Sequence, residues 1–276
     1  GLTILGVMGE APKLAPEEAV SFAGRVLERI DGRVPVVVGV SAPGLGVMSS
    51  LTQRVMDLGA AGVMVAPMAG LRTDEQIAGY FHAVCEALGD VPMVLQDYPP
   101  SSGVYFSVGL LNRLFADLPN LVVFKHEDWP GLRKLTQFRA AEARGERRRV
   151  SVLVGNGGLY LPLELARGAD GAMTGFAFPE MLVQVCKMFA AGEGDGAEDL
   201  FDAYLPLVRY EQQVGIGLAI RKETLRRRGV LASAATRAPG PKLDADDHRE
   251  LDRLLARLDR RLAEVGGKPY LLAAQG

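Results

Sequence analysis

Short apolar, β-branched runs alternate along the chain with longer segments of helical spacing. The runs are LTILGVMG (Leu2–Gly9), VPVVVGVS (Val34–Ser41), AGVMVAP (Ala61–Pro67), VPMVLQDY (Val91–Tyr98), LVVFKH (Leu121–His126), VSVLVGN (Val150–Asn156) and GAMTGFA (Gly171–Ala177). Most are continuously apolar rather than alternating, which is the pattern of strands covered on both faces. Between the first two, PEEAVSFAGRVLERI sets Val20, Ala23, Val26, Leu27 and Ile30 on one stripe. Pro16 suits its first turn, and Glu17 and Glu18 suit its positive end. SSLTQRVMDLGAAG reads as a second helix stopped by glycines. Strand following helix following strand predicts parallel βαβ units.

The fold class expected is α/β, a (β/α)8 TIM barrel followed by a C-terminal helical region. Seven strand runs are one short of a closed barrel. Strand character starts at Leu2, so a first βα unit of about 30–40 residues is expected to be missing ahead of it. An open doubly wound sheet competes, but no G-x-G-x-x-G follows the first run. After Pro179 only helical patterns follow: MLVQVCKMFAAGE, AEDLFDAYLPLVRYEQQ, GIGLAIRKETLRRRG and a last segment from Asp244 to Val265. Asp244 or Asp246 can cap the last. The expected organisation is a barrel domain over residues 1–180, a helical region over 181–265, and a loosely held tail over 266–276.

Composition narrows the function classes. With 276 residues, 48% apolar, the chain can bury a large core. A net charge of -2 gives no general attraction to nucleic acid or membrane. The basic clusters Arg144–Arg149 and Arg221–Arg228 read as a solvated helix end and a solvated helix face. Cys85 and Cys186 sit in segments of helical spacing and read as small core residues, without a disulfide framework. Three histidines, none spaced as a ligand pair, give no metal site. No apolar run reaches the ~18 residues of a membrane span, and no signal segment opens the chain. The expectation is a cytoplasmic protein.

The candidate chemistry sits at the strand ends, where a βα barrel keeps its active site. Lys125 is the lysine among them, closing LVVFK. Burial in an apolar pocket disfavours an ammonium, and a neutral amine can attack a ketone to form a Schiff base, an electron sink for bond making or breaking. The alternative is a lysine whose head reaches solvent. Gly6-Val7-Met8-Gly9-Glu10 is a turn whose backbone N–H groups could hold a carboxylate. The glycines at Gly155–Gly158 and Gly175 would suit a phosphate, but no positive residue accompanies them in sequence.

Taken together, the turn G-x-x-G-E, the later D-Y-P-x-x-S-G and the strand-closing lysine resemble the dihydrodipicolinate synthase and N-acetylneuraminate lyase family, from Gly1 to about Gly229. The resemblance implies a class I aldolase or lyase without metal or other cofactor, a homo-oligomer (tetramer or dimer), whose partners are pyruvate or another 2-keto acid and an aldehyde. Lys125 takes the imine role. The family's carboxylate-binding turn falls on Gly6, Val7, Met8 and Gly9, with apolar residues in place of the two hydroxyl residues. Its catalytic tyrosine falls on Gln96, which cannot shuttle a proton near neutral pH; Tyr98 lies two residues on. The second relay tyrosine falls on Ala69, the synthases' carboxylate-holding arginine on Ser101, and the apolar residue beside the keto acid on Met173. Asn156, at the sixth strand end, is a further substrate-binding candidate. The same imine would serve a keto-deoxy sugar acid dehydratase, and a site without the relay residues would also suit a non-catalytic 2-keto acid binder.

Overall fold

Every apolar run contains a strand. The structure, a computed structural model, describes residues 1–266. Residues 267–276, most of the expected tail, lie outside them. The strands are β1 (Leu2–Ile4), β2 (Val36–Gly39), β3 (Gly62–Val65), β4 (Met93–Asp97), β5 (Leu121–His126), β6 (Ser151–Val154) and β7 (Gly171–Ala172). They pair in parallel, each with the next in sequence. Among the described residues no ladder joins β7 to β1. Two runs yield far shorter strands than their length suggests. β1 stops where Leu5 turns left-handed (φ 54), and beyond β7 the Met173 N–H extends the ladder by one bond, to the Val154 carbonyl at 2.8 Å. Continuous apolarity could not mark these ends, because the residues past them stay apolar.

The crossovers are α1 (Pro16–Ile30), α2 (Leu45–Asp57), α3 (Asp74–Leu88), the single turn α4 (Pro99–Ser102), α5 (Val108–Asp117) and α6 (Leu132–Ala143). Their starts follow from local chemistry. Pro16 opens α1, and Glu18 accepts from the Ala15 N–H at 2.9 Å. Thr73 and Gln76 cap α3 reciprocally, and Ser107 caps α5 through the Leu110 N–H. The core lies between these helices and one face of the sheet. Val36, Val38, Val63, Val65, Met93, Leu95, Phe124 and Val152 pack there with Ala23, Val55, Phe81, Leu111, Phe115 and Phe138. The alternate strand positions face the other way.

By contacts the chain divides into two units, Gly1–Val154 with Arg167–Met173, and Gly155–Ala166 with the chain from Thr174 onward. The second holds α7 (Leu161–Ala166), α8 (Pro179–Ala190), α9 (Gly194–Glu211), α10 (Gly217–Arg227) and α11 (Ala245–Glu264). Asp244, the first of the two expected caps, accepts from the Asp246 and Asp247 N–H groups and starts α11. Leu251, Leu255, Leu258 and Leu262 on its apolar stripe are buried. No described helix is long and apolar enough to cross a membrane.

The basic clusters are solvated as expected at Arg144, Arg148, Arg149 and Arg226, but the reading fails at Arg147 and Arg221. The Arg147 guanidinium is buried over the Phe138 ring at 3.6 Å and donates to the Phe138 carbonyl at 2.7 Å. Arg139 and Arg149 share Asp170. In the second unit Arg221 is buried against Glu211. A run of like charges cannot show which of its members finds carbonyl or carboxylate partners; burial follows where such partners exist.

Candidate active site

The register of β4 against β5 builds the site. Gln96 lies beside Lys125, and Asp97 beside His126. Leu95 and Phe124 belong to the helix-side core, so alternation turns Gln96 and Lys125 onto the opposite face and returns Asp97 and His126 to the helix side. Glu127, one residue past β5, continues the ladder by donating its N–H to the Asp97 carbonyl at 2.9 Å. Its side chain therefore falls on the same side as Lys125.

Three polar side chains meet there. Glu127 Oε2 accepts from Gln96 Nε2 at 2.7 Å and lies 3.2 Å from Lys125 Nζ. All three are buried: Gln96 is 4% exposed, Glu127 7% and Lys125 8%. The lysine head does not escape to solvent. A carboxylate at this distance can take a proton from an ammonium and return it later, while the amine is placed to act as a nucleophile. Gln96 can only orient the carboxylate, since an amide neither gains nor loses a proton near neutral pH.

Tyr98 stands just past β4, half-buried, at the head of α4. Burial first, and the Glu127 charge second, push its phenol above the usual range. It is therefore a hydrogen-bond donor at neutral pH. Ser101 is exposed and its hydroxyl turns back to the Tyr98 carbonyl at 3.3 Å. The exposed Ala69 follows β3, and Met173 follows β7. Asn156 belongs to the second unit, left-handed at φ 52, next to Gly157, whose N–H donates to the Thr174 hydroxyl at 2.7 Å.

The turn after β1 is a single 3-10 turn, Val7–Gly9. Gly9 and Glu10 N–H groups bond back to the Gly6 and Val7 carbonyls, and Val7 and Met8 side chains are exposed. Its left-handed residues are not the two glycines. Leu5 (φ 54) and Glu10 (φ 56) bracket the turn, and Glu10 is held by Lys13 at 3.1 Å. Beneath it, Gly39 at the end of β2 has the Leu5 carbonyl where a Cβ would stand, 2.1 Å away. A side chain there is excluded.

Behind this site is a second polar group that the sequence reading missed. Asp97 and His126, both fully buried, approach at 3.7 Å on the helix side. Lys134 of α6 donates to Asp97 at 2.9 Å and pairs with Asp128 at 2.6 Å. His126 Nε2 meets the Gly131 carbonyl at 3.0 Å. The available signal was the two-residue period: it puts Glu127 with Lys125 and Asp97 with His126.

Comparison with known proteins gives the family. The model of the dihydrodipicolinate synthetase family matches residues 1–258. This chain belongs to that family. An L-2-keto-3-deoxyarabonate dehydratase of Azospirillum brasilense is 32% identical over 267 residues, covering 94% of this chain and 83% of the relative. A 4-hydroxy-tetrahydrodipicolinate synthase of Thermus thermophilus is 30% identical over 203 residues, 72% of this chain and 66% of the relative. The crystal structure of a dihydrodipicolinate synthase from Rhodopseudomonas palustris superimposes with a TM-score of 0.91 at 51% identity, covering 93% of this chain and 85% of that one. The parallel α/β fold, with its curled sheet and helical C-terminal region, is that of the family's TIM barrel. As a member of this family the chain is a lyase of the class I aldolase type.

Proposed function

We propose that this family member dehydrates a 2-keto-3-deoxy sugar acid through an imine on Lys125. One observation carries the reading: Glu127 Oε2 lies between Gln96 Nε2 and Lys125 Nζ. Where the synthases place a tyrosine and hydroxyl relay, this chain has Gln96, Ala69 and Val7, and the group that can move a proton is the Glu127 carboxylate. The Azospirillum relative's dehydratase activity supports the same choice.

The steps balance as loss of one water. The Lys125 amine attacks the C2 ketone and water leaves, giving a protonated imine. Glu127 removes a proton from C3, and the electron pair is held as the enamine. The enamine expels the C4 hydroxyl, which takes the proton from Glu127 and leaves as a second water. Hydrolysis consumes one water, frees Lys125 and releases the dehydrated 2-keto acid. In this reading the Gly6–Gly9 turn receives the substrate carboxylate on its Val7 and Met8 N–H groups, the Gly9 N–H being held by the Gly6 carbonyl, while Met173 lies beside the carbon chain and Tyr98 and Ser101 face its distal hydroxyls. Asn156 stays a substrate-binding candidate.

Condensation or cleavage of pyruvate with an aldehyde through the same imine is the second reading, favoured by the synthase relative. A cytoplasmic homo-oligomer, tetramer or dimer, closure of the ring by a further βα unit, and a barrel–helical boundary near residue 180 belong to the proposal as well. The test is borohydride reduction in the presence of a 2-keto-3-deoxypentonate or pyruvate, with mass mapping of the adduct, followed by product analysis. An adduct on Lys125 with a dehydrated product is expected. Pyruvate plus an aldehyde as products would establish the aldolase instead, and an adduct elsewhere would defeat both.

A further inference from the structure

The group behind the site invites a question about its purpose. Asp97 and His126 occupy the positions opposite to Gln96 and Lys125, in register on the same two strands. Both are fully buried, and among the described residues Asp97 Oδ1 and His126 Nδ1 have no hydrogen-bond partner. Burying such groups is costly unless something uses them. Their contacts all converge on the segment that carries Glu127. The Asp97 carbonyl holds the Glu127 N–H. Lys134 joins the Asp97 carboxylate to Asp128, the residue after Glu127. His126 Nε2 holds the Gly131 carbonyl, and a Cβ at Gly131 would lie 2.2 Å from that nitrogen, so the approach requires glycine. The segment 126–131 is thus tied at its beginning, its middle and its end from the helix side.

We propose that Lys134, with Asp97 and His126, is a positioning group that fixes the Glu127 carboxylate against Lys125; this rests on the imine reading of the site. Without the Lys134 ammonium, Asp97 and Asp128 present two carboxylates with no cation between them, and the segment moves apart at Asp128. Lys125 lies within β5, paired with Gln96 on one side and Leu153 on the other, and does not follow. Imine formation and proton removal at C3 are then separated by this one residue.

The experiment uses pyruvate, whose methyl protons exchange with deuterium through the enamine. Borohydride trapping reports the imine, and loss of the methyl signal by proton NMR in heavy water reports C3 deprotonation. For Lys134→Met we expect trapping on Lys125 within threefold of wild type and exchange slowed about ten- to hundredfold, the scale of a small misplacement. Lys134→Arg, which keeps the charge, recovers most of the exchange. Should Lys134→Met fail to fold, Asp128→Asn removes one of the two carboxylates and carries the same test, with a loss of about three- to tenfold. Trapping and exchange falling in parallel, or neither falling, overturns the positioning role. A folded wild-type protein that traps neither pyruvate nor a 2-keto-3-deoxypentonate on Lys125 overturns the functional reading and the positioning role with it.

Discussion

Two buried cation–carboxylate pairs, one in each unit, invite comparison. Lys125 and Glu127 meet in the first, on the sheet face turned away from the helix-side core. Arg221 and Glu211 meet in the second, where the other Glu211 oxygen accepts the Ala177 N–H at 3.1 Å and the guanidinium lies against Gly175. Both pairs are out of water, and both carboxylates have a second donor. The cations differ. A guanidinium stays protonated and cannot act as a nucleophile, so the Arg221 pair can only hold the 174–178 segment to α9 and α10. An ammonium can surrender its proton to the carboxylate beside it and become an amine. The lesson is that a buried ion pair becomes chemistry through which cation it contains.

That contrast can be broken in order of expected effect. Lys125→Arg keeps the charge and removes the amine that the proposed imine requires; kcat should fall by about 10⁴-fold or more, with no borohydride adduct. Retained turnover would place the nucleophile elsewhere. Glu127→Gln keeps the shape and the Gln96 contact while removing the proton carrier. It should cost about 10²–10⁴ in kcat, with the Lys125 adduct still formed. A loss of adduct without loss of shape would make Glu127 an element of imine formation alone. Arg221→Met leaves Glu211 uncompensated and should cost about 3–5 kcal/mol in a urea unfolding experiment, while the Lys125 adduct persists in the folded fraction. An unchanged midpoint would mean that the Arg221 pair stabilises nothing.

Smaller effects sharpen the picture. Tyr98→Phe removes a donor whose phenol stays protonated through neutral pH, so kcat should drop less than about tenfold, without a new limb in the pH–rate profile. At alkaline pH, Tyr80 in the first unit and Tyr204 in the second, each pushed up to about 12 by burial, ionise in the unfolded chain first, near the ordinary value of about 10. Their contribution to stability is complete below pH 10 and is lost between 10 and 12. Urea midpoints at pH 9 and 11 should show the decline. Tyr80→Phe should flatten it.

How much was legible beforehand follows from what a linear pattern can encode. The β5 run coincides with its strand from Leu121 to His126, and Lys125 stood out because a lysine closing an apolar run is conspicuous. Glu127 did not, since HED after a strand has the composition of any polar loop. Only the parity of its position relates it to Lys125, and only the ladder bond to Asp97 shows that parity still holds past the strand end. Lys134 was less visible still. It belongs to a helix that reaches Asp97 through the fold, and no spacing rule connects them. Arg147 and Arg221 were misread for the same reason: their partners, the Phe138 carbonyl and Glu211, are set by packing. Local pattern revealed elements and one candidate lysine, whereas the groups packed around that lysine are defined by neighbours in space.

Gly39 has a reach beyond its own strand. Between it and the Leu5 carbonyl there is room for a hydrogen atom and not for a carbon. Leu5 holds a left-handed conformation that costs about 1–2 kcal/mol, and it is the hinge from which the Gly6–Gly9 turn departs. A methyl group at position 39 would therefore make itself felt past the end of the neighbouring strand β1, as a displaced row of amide hydrogens in the Gly6–Gly9 turn, although residue 39 itself has no functional group to contribute.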